Sequence, residues 1–227
     1  MMTQLESARS GKITSEVRRV AGIEGLPPEM VRKGVARGFI VLPNNRIRKL
    51  LKPCGVGKGL STKINANIGT SKSSSDIAHE IKKMRAAIDA GADVMMDLST
   101  GPKVPQTRKA IIKKCPVPLG TVPIYETVIN GIKKYGSVTK IKADDFIDAL
   151  EIQAKDGVDF FTIHAGVTLK TIEALRKHPR VLDIVSRGGA FLAEWMIENH
   201  KENPFYTNFD KVIDIAKRIK PSRRGEK

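Results

Sequence analysis

Five times between Thr62 and Gly189 an apolar, strand-like run breaks off in small, amide or hydroxyl residues, and a helix-like segment follows. The runs are Thr62-Lys63-Ile64-Asn65-Ala66-Asn67-Ile68-Gly69-Thr70, Val94-Met95-Met96-Asp97-Leu98-Ser99-Thr100-Gly101, Pro118-Leu119-Gly120-Thr121-Val122-Pro123-Ile124-Tyr125, Phe160-Phe161-Thr162-Ile163-His164-Ala165-Gly166 and Ile184-Val185-Ser186-Arg187-Gly188-Gly189. Strands alternating with helices are the pattern of parallel βα units, not of a hairpin meander. Parallel sheets gather their ligand sites outside the carboxyl ends of the strands. The polar endings therefore share one location, a crevice if the sheet is open and a mouth if it closes into a barrel.

Between the strand patterns, Ser74 and Ser75 provide an N-cap, Ile77, Ile81, Met84, Ala87 and Ile88 recur at helical spacing, and Gly91 ends the helix. Further helices are expected near 106–114, 127–135, 143–155, 169–177, 191–200 and 209–219. The first sixty residues read as an extension. A polar helix from Glu6 to Ala21 leads to a break at Leu26-Pro27-Pro28-Glu29, a second helix runs through Gly34, and a short apolar run covers Gly38 to Pro43. Lys52 to Gly59 is loop-like. The expected division is an N-terminal extension over 1–60, an α/β domain over 61–219 and a basic, patternless tail over 220–227.

At 227 residues with 41% hydrophobic content, the chain can bury a single sizeable core. No apolar run is long enough to span a bilayer and no secretory h-region is evident, so a cytoplasmic protein without membrane contact is expected. The two cysteines, Cys54 and Cys115, stand alone, which makes a disulfide framework, a zinc knuckle or an iron-sulfur motif built from them unexpected. The net charge of +16 raises nucleic acid as a partner. Its distribution argues otherwise. Residues 1–60 contribute +8 and residues 211–227 contribute +5, leaving +3 for the long middle. With aromatics at 5%, there is little material for stacking on bases.

Individual motifs each carry two readings. Ser186-Arg187-Gly188-Gly189, between a strand and a helix, can hold a phosphate on free amides and a guanidinium, or can be a tight turn whose arginine points to solvent. His164 at a strand end can contact substrate, ligate a metal, move a proton or be a satisfied structural group. Tyr125 can present its hydroxyl or bury its ring. Of Asn65 and Asn67, one is expected to face the site and the other to be satisfied elsewhere. Met96 reads by itself as core packing, and Asp97 should point the opposite way. His79 and His178 read as solvated helix residues, and His200 as a helix C-terminal cation. The phosphate-loop reading of Gly55-Val56-Gly57-Lys58-Gly59 is excluded, because Gly59 stands where Ser or Thr should bind magnesium and Lys52 where the first glycine should be. Asp144-Asp145, at a helix start, favours the helix dipole and is weak evidence for acid-base chemistry.

The five strand endings, together with Thr3-Gln4-Leu5-Glu6-Ser7-Ala8-Arg9 and His200-Lys201-Glu202-Asn203, resemble the phosphomethylpyrimidine synthase family of thiamine biosynthesis. Ile64 to Thr70 and Thr162 to Gly166 are its most specific runs, and the resemblance extends from near Met1 to about Ile219. It implies an α/β fold of TIM type, a parallel (βα) barrel with about five of eight βα units present and an N-terminal helical extension. It also implies a substrate shell of Asn67, Met96, Tyr125, His164, Ser186, Arg187 and Gly188 around 5-aminoimidazole ribotide; no catalytic residue is assigned. The family converts that ribotide to hydroxymethylpyrimidine phosphate with S-adenosylmethionine, a [4Fe-4S] cluster that generates a carbon radical, and a divalent metal such as zinc.

This sequence departs from the family in two places. Ser99-Thr100-Gly101-Pro102-Lys103 stands where the family reads Ser-Thr-Gly-Gly-Asp. The Asp-Gly-Leu-Arg-Pro-Gly strand end, the metal-binding histidines and the C-terminal cysteine triplet are not in it, so the expectation is a truncated chain with no cluster or metal ligands of its own. Its last strand, near Asp183 to Ser186, should present an open edge, covered by a homodimer contact or a completing polypeptide. A truncated synthase, a non-catalytic ribotide-binding module and a basic nucleic-acid-binding protein are the competing functions.

Overall fold

The computed structural model describes residues 2–218. Ile219 and the expected basic tail at 220–227 lie outside the described residues. The extension folds as α1 (Gln4–Arg9), α2 (Ser15–Glu24) and α3 (Pro28–Ala36), followed by an antiparallel ribbon of β1 (Ile40–Val41) and β2 (Val56–Gly57). The expected helix from Glu6 to Ala21 is thus two helices. Gly11 takes the left-handed conformation at φ +81°, and Thr14 then caps a new start by accepting from the Val17 amide. The stretch expected as loop, 52–59, contains β2. Ala8, Val17, Val20, Ala21, Val31 and Val35 close a small core beneath the ribbon's Ile40.

The α/β part runs β3 (Asn65–Ile68), α4 (Ile77–Asp89), β4 (Val94–Asp97), α5 (Val104–Lys114), β5 (Leu119–Thr121), α6 (Pro123–Tyr135), α7 (Ala143–Asp156), β6 (Phe160–Phe161), α8 (Leu169–Lys177), α9 (Arg187–Asn199), α10 (Pro204–Thr207) and α11 (Phe209–Arg218). Asp76, not Ser74 or Ser75, caps α4 through the Ala78 amide. Among the described residues the sheet is four-stranded, ordered β3-β4-β5-β6 and parallel throughout. No closed barrel forms within it. The fifth expected strand is the main correction: 183–186 has no ladder partner, and Val181, Leu182 and Val185 are exposed. Apolar sequence alone does not make a strand, which exists only where a neighbour supplies the hydrogen bonds.

Register sorts the strand residues into two faces. Ile68, Asp97, Thr121 and Phe161 are aligned across the sheet, as are Asn67, Met96, Gly120 and Phe160. On the covered face Ile68, Met95 and Leu119 pack with Ile81 and Met84 of α4 and Ile111 of α5. The largest core joins α6, α7, α9 and α10, where Phe146 meets Trp195 and Phe205 edge-on at ring distances of 5.6 and 5.8 Å. The extension is bolted to the amino ends of β5 and β6. The Asp159 carboxylate accepts from the amides of Asn45 and Leu119 at 2.7 and 2.8 Å and pairs with Arg48, while Asn45 donates to the carbonyls of Ala154 and Val158.

Candidate functional site

The strand ends carry the polar groups that the sequence pattern singles out. Asn67 and Met96 are register partners on the uncovered face. Asn65 lies on that face too, because residues two apart along a strand point the same way. Its Nδ2 donates to Asn67 Oδ1 at 3.2 Å, so the two asparagines are paired and not divided between faces. Asp97 points the opposite way, as expected. It is buried behind the sheet, and its Oδ1 accepts from the Ser99 amide and hydroxyl at 2.9 and 2.5 Å. Burial pushes its carboxyl above the ordinary value, against those hydrogen bonds.

The second group assembles around the start of α9. Ser186 is its N-cap and accepts from the Gly189 amide. The ring Nε2 of His164 lies 2.9 Å from Ser186 Oγ, so a hydrogen bond joins the β6 exit to the α9 cap. Gly188 is a requirement of this contact: a Cβ there would fall 2.4 Å from His164 Cε1 and 2.6 Å from Nε2. The imidazole edge lies where a side chain would otherwise be. His164 Nδ1 is buried with no partner, and burial lowers the pKa below its ordinary 6.5, favouring the neutral ring. Arg187 is exposed, and its guanidinium carbon stands 5.6 Å from the ring centre of Tyr125, in the first turn of α6. Tyr125 is thus half-buried with its face occupied by a cation, a position between the two read from sequence.

The structure therefore brings together His164, Ser186 and Gly188, joins Arg187 to Tyr125, and aligns Asn67 with Met96. The bridge between these groups is Thr162, whose Oγ1 lies 3.9 Å from Met96 Sδ two residues before His164. The first-turn amides of α9 lack intrahelical acceptors by construction, and the helix dipole adds partial positive charge there. With the exposed guanidinium of Arg187 beside them, this end of α9 suits a phosphate. The departing loop 99–103 is zipped to the β3 exit, with the Thr70 amide donating to Ser99 Oγ and the Thr100 amide to Thr70 O. Pro102 and Lys103 themselves are exposed.

Sequence reasoning missed a buried network behind the site. Arg108, 1% exposed, reaches Glu126 at 2.5 Å and Asp156 at 2.6 Å. Gln153 Nε2 also donates to Glu126, and Thr121 Oγ1 donates to Gln153 Oε1, each at 2.6 Å. A signal was present, since Val104, Arg108 and Ile111 share one helical stripe and the outer two are apolar. A cleft of about 1230 Å³ lies elsewhere, between the N-terminal helices, the edge strand β6 and α11. Ile40, Leu42, Phe160, Phe161, Phe209 and Val212 contribute its apolar lining.

The description Radical SAM ThiC family covers residues 3–221 of this sequence. The chain belongs to that family. Among its relatives, the phosphomethylpyrimidine synthase of Dehalococcoides mccartyi (strain CBDB1) is 51% identical over 216 residues, which are 95% of this chain and 50% of that protein. The enzymes of the same name from Desulforudis audaxviator and Moorella thermoacetica are 52% and 47% identical over 215 and 217 residues, covering 95% and 96% of this chain and again 50% of theirs. The chain spans about half the length of the curated relatives it matches.

The donors of a radical SAM centre are a separate matter. Among the described residues no group of three or more His, Cys, Asp or Glu comes together to hold a metal. Cys54 and Cys115 are buried and free, and burial pushes the Cys54 thiol to about 11. A buried thiol with a raised pKa resists the thiolate state that cluster ligation needs. These residues do not fit a cluster, and no chemical step through one is assigned to them. No helix among the described residues is long and apolar enough to cross a membrane.

Proposed function

We propose that this chain supplies the ribotide-holding part of a phosphomethylpyrimidine synthase of thiamine biosynthesis, and that Asn67, Met96, Tyr125, His164, Ser186, Arg187 and Gly188 hold 5-aminoimidazole ribotide. The observation that carries the reading is the imidazole of His164 locked between Ser186 and Gly188 beside an exposed Arg187. The α9 start and the guanidinium would take the phosphate, while Asn67 and Met96 would face the base and sugar from the sheet. In the whole enzyme, S-adenosylmethionine, a [4Fe-4S] cluster and a divalent metal such as zinc would supply the radical chemistry. Their ligands would come from polypeptide other than the residues described above.

On this reading β3 to β6 form the first arc of a (βα)8 barrel, and the protein works in the cytoplasm. The cleft along β6 would seat a completing polypeptide carrying the remaining strands or, alternatively, a second copy of this chain in a homodimer. Mixing the chain with the separately produced second half of the Dehalococcoides mccartyi relative should give a co-eluting complex on size exclusion. Separate elution at micromolar concentrations would remove that partner.

Titration of the chain with 5-aminoimidazole ribotide, with its dephosphorylated nucleoside and with a single-stranded RNA tests the ligand class. Preference for the ribotide is the expected result, and preference for RNA would replace the reading by nucleic-acid binding. Arg187→Ala should weaken the ribotide by about 1.5 to 3 kcal/mol while leaving the nucleoside nearly unchanged. Equal losses for both ligands would remove the phosphate role.

A further inference from the structure

Asn203 follows α9 and is fully buried, yet nothing polar on it is wasted. Its Nδ2 donates to His164 O at 2.7 Å and to Val167 O at 2.8 Å, and its Oδ1 accepts from the Phe205 amide at 2.9 Å. The neighbouring Glu202 extends the hold. Its two carboxylate oxygens each lie 3.2 Å from the Leu169 amide, the first of α8, and Oε1 accepts from the Asn203 amide at 2.8 Å. The loop leaving β6 is thus fastened at His164, Val167 and Leu169 by two adjacent side chains distant in sequence.

A plain helix-capping role does not account for this residue. Capping α10 needs only an acceptor, which Asp or Ser supplies as well as Asn. Only an amide accepts from a helical N–H and also donates to two carbonyls. The donors go to the loop that carries His164, whose ring is held from the other side by Ser186 and the α-carbon of Gly188. The histidine is therefore fixed at both its carbonyl and its ring.

We propose that Asn203, supported by Glu202, is the positioning residue of the strand-end site: it fixes the β6 exit loop so that the His164 imidazole meets the first turn of α9 in one orientation. Its consequence for ligand binding rests on His164 being a ribotide contact, whereas the orientation itself does not. Asn203→Asp separates positioning from capping, because the carboxylate keeps the acceptor for the Phe205 amide and removes both donors.

The 227-residue chain has four histidines, so ring ¹⁵N spectra are simple, and His164→Gln identifies the signal. In the unaltered protein His164 should show one dominant tautomer. In Asn203→Asp it should move toward the averaged tautomer position, and ribotide affinity should fall about three- to tenfold. Unmoved ring signals in a folded Asn203→Asp protein would overturn the proposal. If that variant does not fold, Glu202→Ala, at a half-buried position, reads the same signals, and an unchanged His164 there overturns it equally. Ring signals that move in a protein that never binds the ribotide, even unaltered, would uphold the positioning and reject the ligand.

Discussion

Polar groups stand both behind the sheet and at its strand ends, each set including an arginine, but they are bonded differently. Behind it, the buried Arg108, Glu126, Gln153 and Thr121, with the half-buried Asp156 at their margin, satisfy one another through contacts of 2.5 to 2.6 Å. At the ends, Arg187 is exposed against Tyr125, Asn67 is exposed, and His164 keeps a buried Nδ1 without a partner. Adjacent residues of β4 fall on the two sides, with Asp97 turned back to Ser99 and Met96 turned toward Thr162. A saturated network rigidifies the scaffold, and groups left with spare bonding capacity are available to something else.

If that contrast is real, the largest effect comes from breaking the saturated side. Arg108→Ala leaves Glu126 buried without its cation, while the half-buried Asp156 keeps Lys109, and urea unfolding should report a loss of about 3 to 5 kcal/mol. A loss below about 1 kcal/mol would mean that the network is not closed to water. At the strand ends the effect should be local. Gly188→Ala places a methyl group into the His164 ring, costing about 1 to 3 kcal/mol and moving the His164 ring signals. Unmoved ring signals would break the account of that glycine.

The smallest effect is a pH dependence. A lowered His164 pKa means that the folded state favours the neutral ring, so the group's contribution is complete above the unfolded value near 6.5 and is lost as pH falls from there through the folded value. The stability difference between the protein and His164→Gln, followed by urea unfolding from about pH 7.5 down to about pH 5, should therefore move against the unaltered protein. A constant difference would show that the ring is not desolvated.

Much of this arrangement was legible in the residues. The βα alternation and the extents of α7 and α8 follow from local periodicity and caps, which are written within a few turns of chain. The strand-end residues were also legible, because a parallel sheet gives its carboxyl ends one address. Resemblance, not pattern, selected Met96 and Tyr125 among side chains that equally suit a core.

The sequence by itself determined the βα alternation as far as β6 and α8, the parallel pairing of those strands and the family. Tertiary structure alone decided that 183–186 forms no strand, since ladder bonds require a partner that apolar composition cannot provide. It also decided that Asn65 bonds to Asn67, that Arg108 is sealed inside by carboxylates from α6 and α7, and that Asn203 holds a carbonyl 39 positions away. Each of these depends on a contact between segments distant along the chain, and no periodicity within either segment records the other.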